Sequence, residues 1–236
     1  MTDLMHQVNY IDIPAEETPP MKIASFDVDA QNGFTANAPQ ELPVPGGEQI
    51  APALNLMARR ATLRLGSKDA HPANAAWVVA EASQMLQPLA LANADLTWVS
   101  HCVPGTPGFE LLPGLPAPVD YDYFVWKGVE LDLHPYGACY HDLAERRSTG
   151  VIEYLKVQQV QAIIVGGLAL DYCVRTTALQ LRRAGFEVLL YLPACRALSA
   201  DGANDACAAM SAAGIHLCAD EAALDTRLTL LQEARP

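Results

Sequence analysis

From Lys22 onward, short runs rich in β-branched and aromatic residues alternate with stretches whose apolar residues recur every three to four positions. No other feature of the chain limits its fold as strongly. Strand patterns lie at 22–28, 62–66, 96–103, 123–127, 162–166, 187–192 and 215–218, and helical patterns at 48–61, 150–158, 172–184 and 201–213. In the first helix Ile50, Ala53, Leu54 and Met57 form one apolar face. Gly185 and Gly214 are the expected stops of the third and fourth helices, and Asp201 the expected N-cap of the fourth. Strands separated by helices pair in parallel through right-handed crossovers, with helices on both sheet faces. The expected architecture is a three-layer α/β/α domain with a mostly parallel sheet of about six strands.

The 236 residues, 51% hydrophobic and 18% charged, suit one domain with a large core, expected over 21–236. Residues 1–20 mix acidic residues with prolines and end in Thr18-Pro19-Pro20, the pattern of a surface arm. That segment lacks the basic stretch and apolar core of a signal peptide, and no apolar run reaches the ~18 residues a membrane span needs. A cytoplasmic protein is therefore expected. Fifteen Lys and Arg against 27 Asp and Glu give a net charge of −12, which repels phosphate backbones and anionic lipid. Nucleic acid and membrane are poor partners for such a chain, and a small molecule is the expected one. The six cysteines show neither CxxC nor zinc-ribbon spacing, so most are expected as reduced thiols.

Cys173 follows the apolar run Ala162-Ile163-Ile164-Val165 and a Gly-Gly pair, and opens a helical pattern. A thiol at a helix N-terminus faces free N–H groups that favour its thiolate and can hold an oxyanion. Asp29 and Lys127 end strand patterns of their own, and parallel strands deliver their C-terminal ends to one sheet edge. Carboxylate, ammonium and thiol gathered there point to a hydrolytic site, whereas taken alone Asp29 reads also as a cap, Lys127 more often as a surface lysine and Cys173 also as a buried small residue. Asp69, His71 and His101 form a second set suited to zinc, iron or manganese, with open positions for water or substrate. His6, His134, His141 and His216 lack such company and read as surface or packing residues, His134 being nearest to Lys127.

These motifs resemble, over about 22–198, the nicotinamidase and pyrazinamidase branch of the isochorismatase-like cysteine hydrolases. Asp29-Ala30-Gln31-Asn32-Gly33-Phe34 is similar to the family's Asp-x-Gln-Asn-Asp-Phe segment, with Gly33 in place of the second Asp. Leu42-Pro43-Val44-Pro45-Gly46-Gly47, His101-Cys102-Val103, Lys127-Gly128 and Gly167-Leu168-Ala169-Leu170-Asp171-Tyr172-Cys173-Val174 match its remaining landmarks in order. The resemblance implies a Rossmann-like fold and a catalytic triad of Asp29, Lys127 and Cys173. It also implies a cis peptide between Leu168 and Ala169, and an oxyanion hole from the N–H groups of Ala169 and Cys173. Phe34 and Trp98 would sandwich a substrate ring, with Leu168 and Tyr136 also lining the pocket. Asp69, His71 and His101 would hold one divalent metal, zinc first, that binds the ring nitrogen. The implied reaction converts nicotinamide to nicotinate and ammonia through a thioester on Cys173, with pyrazinamide as a second substrate and homo-oligomers as the family's habit.

Two departures bear on these expectations. Ala75 stands where some members carry a further histidine, and Gly137 and Cys139 in Tyr136-Gly137-Ala138-Cys139-Tyr140 replace a serine and an aromatic residue. Three alternatives stay open at this point: an amidase or ureido-hydrolase with another substrate, a non-catalytic binding protein on the same fold, and a thiol redox protein. The intact Asp29, Lys127 and Cys173 speak against the second and the missing CxxC against the third.

Overall fold

The computed structural model describes residues 20–234, so the expected arm over 1–20 lies outside the described residues apart from Pro20. Strands β1 (Ile23–Val28), β2 (Leu63–Asp69), β5 (Tyr123–Lys127), β6 (Ala162–Gly167), β7 (Glu187–Cys195) and β8 (His216–Cys218) form a six-stranded sheet in the order β5-β2-β1-β6-β7-β8. Every neighbouring pair is parallel. Successive side chains of a strand face opposite ways, and the sequence uses this to feed two cores. Ala162, Ile164, Leu189 and Tyr191 face α1 (Ala51–Ala58) and α5 (Glu221–Glu233). Ile163, Val165, Val188 and Leu190 face α2 (Val151–Val157), α3 (Arg175–Arg183) and α4 (Ala200–Ala212). Helices thus cover both faces, as the alternation requires.

The strand order reverses direction between β1 and β6, where the first crossovers turn one way and the later ones the other. In a doubly wound sheet this switch point opens a crevice beyond the strands' C-terminal ends. Gly167 sits at that seam with φ +138°, and an added Cβ would run into the backbone of Val28. The close approach lets the Leu168 N–H donate to Val28 O at 2.9 Å.

Several expected elements are redrawn. The strand over 96–103 shrinks to β4 (Trp98–Val99), which pairs with β3 (Val78–Val79) in a separate two-stranded sheet. The chain cannot stay extended, because Cys102 takes a left-handed conformation at φ +51° and Pro104-Gly105 follows. The helix expected over 48–61 is only α1, preceded by a one-turn 3₁₀ helix at Gly47–Gln49 and carrying a proline in its first turn. The helix expected from residue 172 begins as a π-helical turn at Leu170–Val174, and α3 follows it. Ser199, not Asp201, caps α4, its hydroxyl accepting from Gly202 N at 3.0 Å. Helix α5 was not expected from the sequence; Asp220 caps it and Leu224 is its one fully buried residue. No described helix is long and apolar enough to cross a membrane.

Replacing Gly167 by alanine should destabilise the protein by about 3 kcal/mol or more, since it adds a side chain at a disfavoured φ and against backbone. Urea unfolding of Gly167→Ala beside the wild type measures this.

Candidate active site

Four strand ends meet at the switch point. Asp29 leaves β1 at φ +45°, a left-handed conformation unusual for a residue with a side chain. Its Oδ1 accepts from Ser67 Oγ at 2.7 Å, and Ser67 Oγ in turn accepts from Asp29 N at 3.2 Å. Two residues on, Gln31 clasps the end of β2: its Oε1 accepts from Asp69 N at 2.7 Å and its Nε2 donates to Asp69 O at 2.9 Å. These paired bonds fix Asp69 relative to Asp29. Lys127 ends β5, and the π-helical turn after β6 carries Cys173.

The Lys127 ammonium is fully buried and touches all three. It donates to Asp69 Oδ1 and to Pro135 O (3.0 Å), lies 3.1 Å from Asp29 Oδ2 and stands 3.7 Å from Cys173 Sγ. The sulfur and the nearer oxygens of both carboxylates lie within 4.8 Å of one another. Burial alone would discharge an ammonium, but Asp29 and Asp69 outweigh it and hold Lys127 well above its ordinary pKa. Burial also raises carboxyl groups; at Asp69 the adjoining Lys127 ammonium, with the His71 imidazole beside it, overrides that and keeps it below the usual carboxylate range. Asp29 goes the other way, since burial lifts it to about 6 despite Lys127. The two carboxylates thus diverge, one permanently ionised and one poised to exchange a proton near neutrality.

Cys173 corrects an expectation. It does not titrate as an activated helix-terminal thiol: burial, with Asp29 and Asp69 nearby, pushes it well above its usual value, and Lys127 only partly opposes this. The resting group is a thiol, so its activation needs a base. Asp29 Oδ2 is free for that task, because no well-aligned hydrogen bond occupies it. Ahead of Cys173 the peptide between Leu168 and Ala169 is cis, and the Ala169 N–H donates to no acceptor among the described residues.

Asp69 also faces an imidazole group. Its Oδ1 lies 3.3 Å from His71 Nε2. His71 Nδ1 lies 3.2 Å from Gly128 O and His101 Nδ1 2.7 Å from Val99 O. A carbonyl only accepts, so each ring carries its proton on Nδ1 and turns Nε2 toward the cluster. His101, expected inside the strand pattern over 96–103, instead follows the short β4 on a loop outside the main sheet. Burial, then His71, lower its pKa to about 3, which keeps the ring neutral and fit to donate a lone pair. His134, expected as a surface or packing residue, is the third member: it is buried, stacks on His71 (4.9 Å, 19°) and offers a nitrogen within 4.8 Å of one nitrogen of each of His71 and His101. Its seven-residue distance from Lys127 was the only sequence signal.

A narrow cleft opens between the two groups, and Phe34, Trp98, His101, Tyr136, Ala169 and Cys173 are among its walls. Trp98 Nε1 donates to Tyr136 Oη at 3.3 Å, and Tyr136 Oη donates to Asp95 Oδ1 at 2.8 Å, so both rings are fixed. Leu168 is not on this wall. It is fully buried in the core, next to Gly47, because the turn directs its side chain away from the cleft. Tyr172, not singled out from the sequence, does line the cleft and stands edge-on to Trp98 at 4.9 Å and 89°.

A doubly wound α/β sheet with a thiol, an ammonium and two carboxylates at its switch point is the framework of a cysteine hydrolase. The isochorismatase domain family matches residues 24–222, and the chain belongs to that family. It falls on the nicotinamidase and pyrazinamidase branch. The nicotinamidase of Acinetobacter baylyi is 32% identical over 181 residues, 74% of this chain and 81% of the relative. Among solved structures, a nicotinamidase and pyrazinamidase of Acinetobacter baumannii superposes with a TM-score of 0.74 at 27% identity, covering 85% of this chain and 97% of that one. The pyrazinamidase of Pyrococcus horikoshii in complex with zinc gives 0.66 at 29% identity, covering 83% and 98%.

Lys127→Met should cost about 3 to 5 kcal/mol of stability at neutral pH, as it strands two buried carboxylates without their cation. Both would then hold their protons when folded and lose them above about pH 4 when unfolded, so the variant's stability should fall as pH rises. Denaturant titrations from pH 4 to 8 should show the deficit shrinking toward acid.

Proposed function

We propose that the protein hydrolyses nicotinamide to nicotinate and ammonia, with Cys173 as nucleophile, and that pyrazinamide is a second substrate. The observation that carries this reading is Lys127 buried between Asp29, Asp69 and Cys173 on the floor of an aromatic-walled cleft. Family membership and relatives that are nicotinamidases support it.

A carboxamide in the cleft, its ring between Phe34 and Trp98, presents its carbonyl carbon to Cys173. Asp29 Oδ2 takes the thiol proton while Lys127 holds the forming thiolate by charge, and the sulfur attacks the carbon. The oxyanion that forms faces the N–H groups of Ala169 and Cys173. Asp29 returns its proton to the nitrogen, the C–N bond breaks, and ammonia leaves a thioester on Cys173. Water then gives a proton to Asp29 and attacks the thioester; the carboxylic acid departs and the thiol is restored. Asp69 stays ionised throughout and keeps Lys127 charged and in place.

The donor set fits a divalent cation. The bare Nε2 of His71 is buried without a hydrogen-bond partner and faces a carboxylate oxygen, an arrangement a cation between them would stabilise. Asp69, His71 and His101 would hold it, and nitrogen-rich coordination favours zinc over iron or manganese. When bound, it supplies a Lewis acid for the ring nitrogen of the substrate.

Zinc-loaded protein should release ammonia from nicotinamide, and Cys173→Ala should lower the rate on the order of 10³-fold or more. In the wild type kcat/KM should fall as pH drops through about 6, where Asp29 gains its proton, and Asp29→Asn should lack activity at every pH. No ammonia from the wild type with zinc bound would refute the assignment.

A further inference from the structure

His134 has no part in the chemistry above, and the structure gives it an unusual position. Its backbone is tied down on both sides: His134 N donates to Asn93 O at 2.7 Å, and Trp77 Nε1 donates to the preceding carbonyl, Leu133 O, at 2.8 Å. The ring is clamped as well. Trp77 meets it edge-on at 4.3 Å, while His71 and Trp98 lie nearly parallel to it at 4.9 and 5.7 Å. Yet with 4% of the residue exposed, neither Nδ1 nor Nε2 has a hydrogen-bond partner. An imidazole needed only for packing leaves two polar atoms dry, and burying an unmet polar group is destabilising. A phenyl ring would fill the same space without that penalty.

The environment supplies what would relieve it. One nitrogen of His134 lies within 4.8 Å of one nitrogen of each of His71 and His101, and His71 Nε2 is itself unpartnered. Three imidazole nitrogens gathered within 4.8 Å of one another offer lone pairs that a cation among them would engage. Zinc–nitrogen bonds of 2.0–2.1 Å place tetrahedral ligands about 3.4 Å apart, so nitrogens within 4.8 Å of one another need to close by at most about 1.4 Å. The rings meet at 19° (His134 with His71) and at 73 to 75° (His101 with each of the others), so the three do not lie in one plane. We propose that His134 is a third imidazole ligand of a divalent cation held with His71 and His101. Rigid support from Trp77 and Leu133 fits a ligand held ready for its ion. This assignment rests on the cation reading above and extends it.

X-ray absorption at the zinc edge on untagged, zinc-loaded protein counts the imidazoles directly. Three are expected in the wild type and two in His134→Phe, a variant that keeps an aromatic ring in place. Zinc affinity, measured by competition with a chromogenic chelator, should drop at least about tenfold in that variant. Two imidazoles in the wild type, or a count that His134→Phe leaves unchanged, would overturn the assignment of His134 and leave the cation reading standing. No zinc retained by the wild type would overturn both. The wild-type count decides the matter even where the variant fails to fold.

Discussion

Everything at the switch point depends on one buried ammonium. Lys127 has no contact with water, and an isolated lysine so placed would lose its proton. Two carboxylates prevent this, and each is held by something other than Lys127 itself. Ser67 fixes Asp29, and Gln31 fixes the backbone of Asp69. The three charges therefore meet in a framework prepared by neighbouring strands. A buried pair contributes little net stability, because desolvation offsets the attraction, so the arrangement is better understood as functional than as structural.

Its second consequence is an asymmetry between similar groups. Asp69 sits against both Lys127 and His71 and stays ionised, while Asp29, more dependent on burial, titrates near 6. The thiol beside them is pushed up, not down. A resting thiol with an adjacent base of moderate strength suits a reaction in which the proton moves only when substrate is present, and it spares the sulfur from oxidation. On the far side of Asp69 the same burial keeps His101 and His134 neutral, so one wall of the cleft offers lone pairs and the other a nucleophile.

The sheet was legible because its signal is local. Tyr123–Lys127 ends in a charged residue, and Ala162–Gly167 is apolar throughout and closes on glycines. Buried parallel strands must look like this. Asp29, Lys127 and Cys173 followed from it, since each lies at or just beyond a strand end. What failed was whatever depends on the path of loops. His101 resembled a strand end because Trp98–Val99 is extended, but the left-handed Cys102 and the proline after it take the chain elsewhere. His134 lies on an irregular segment whose return to His71 is set by Trp77 and Asn93, distant in sequence. The resemblance implies Leu168 on the cleft, but the turn sends its side chain into the core, away from those of its chain neighbours. Helix α5 was missed because its apolar residues do not form one clear stripe and only Leu224 is fully buried.

The state of Cys173 tests this account most directly. Alkylation by iodoacetamide across pH 5 to 10, followed on the Cys173 peptide by mass spectrometry, reports its thiolate fraction separately from the other five cysteines. The account requires slow alkylation at neutral pH and a rate still climbing at pH 9, the usual thiol value, because burial and two carboxylates hold the proton on sulfur. A rate that levels off below pH 7 would show a resting thiolate stabilised by Lys127, and would contradict the role given to Asp29.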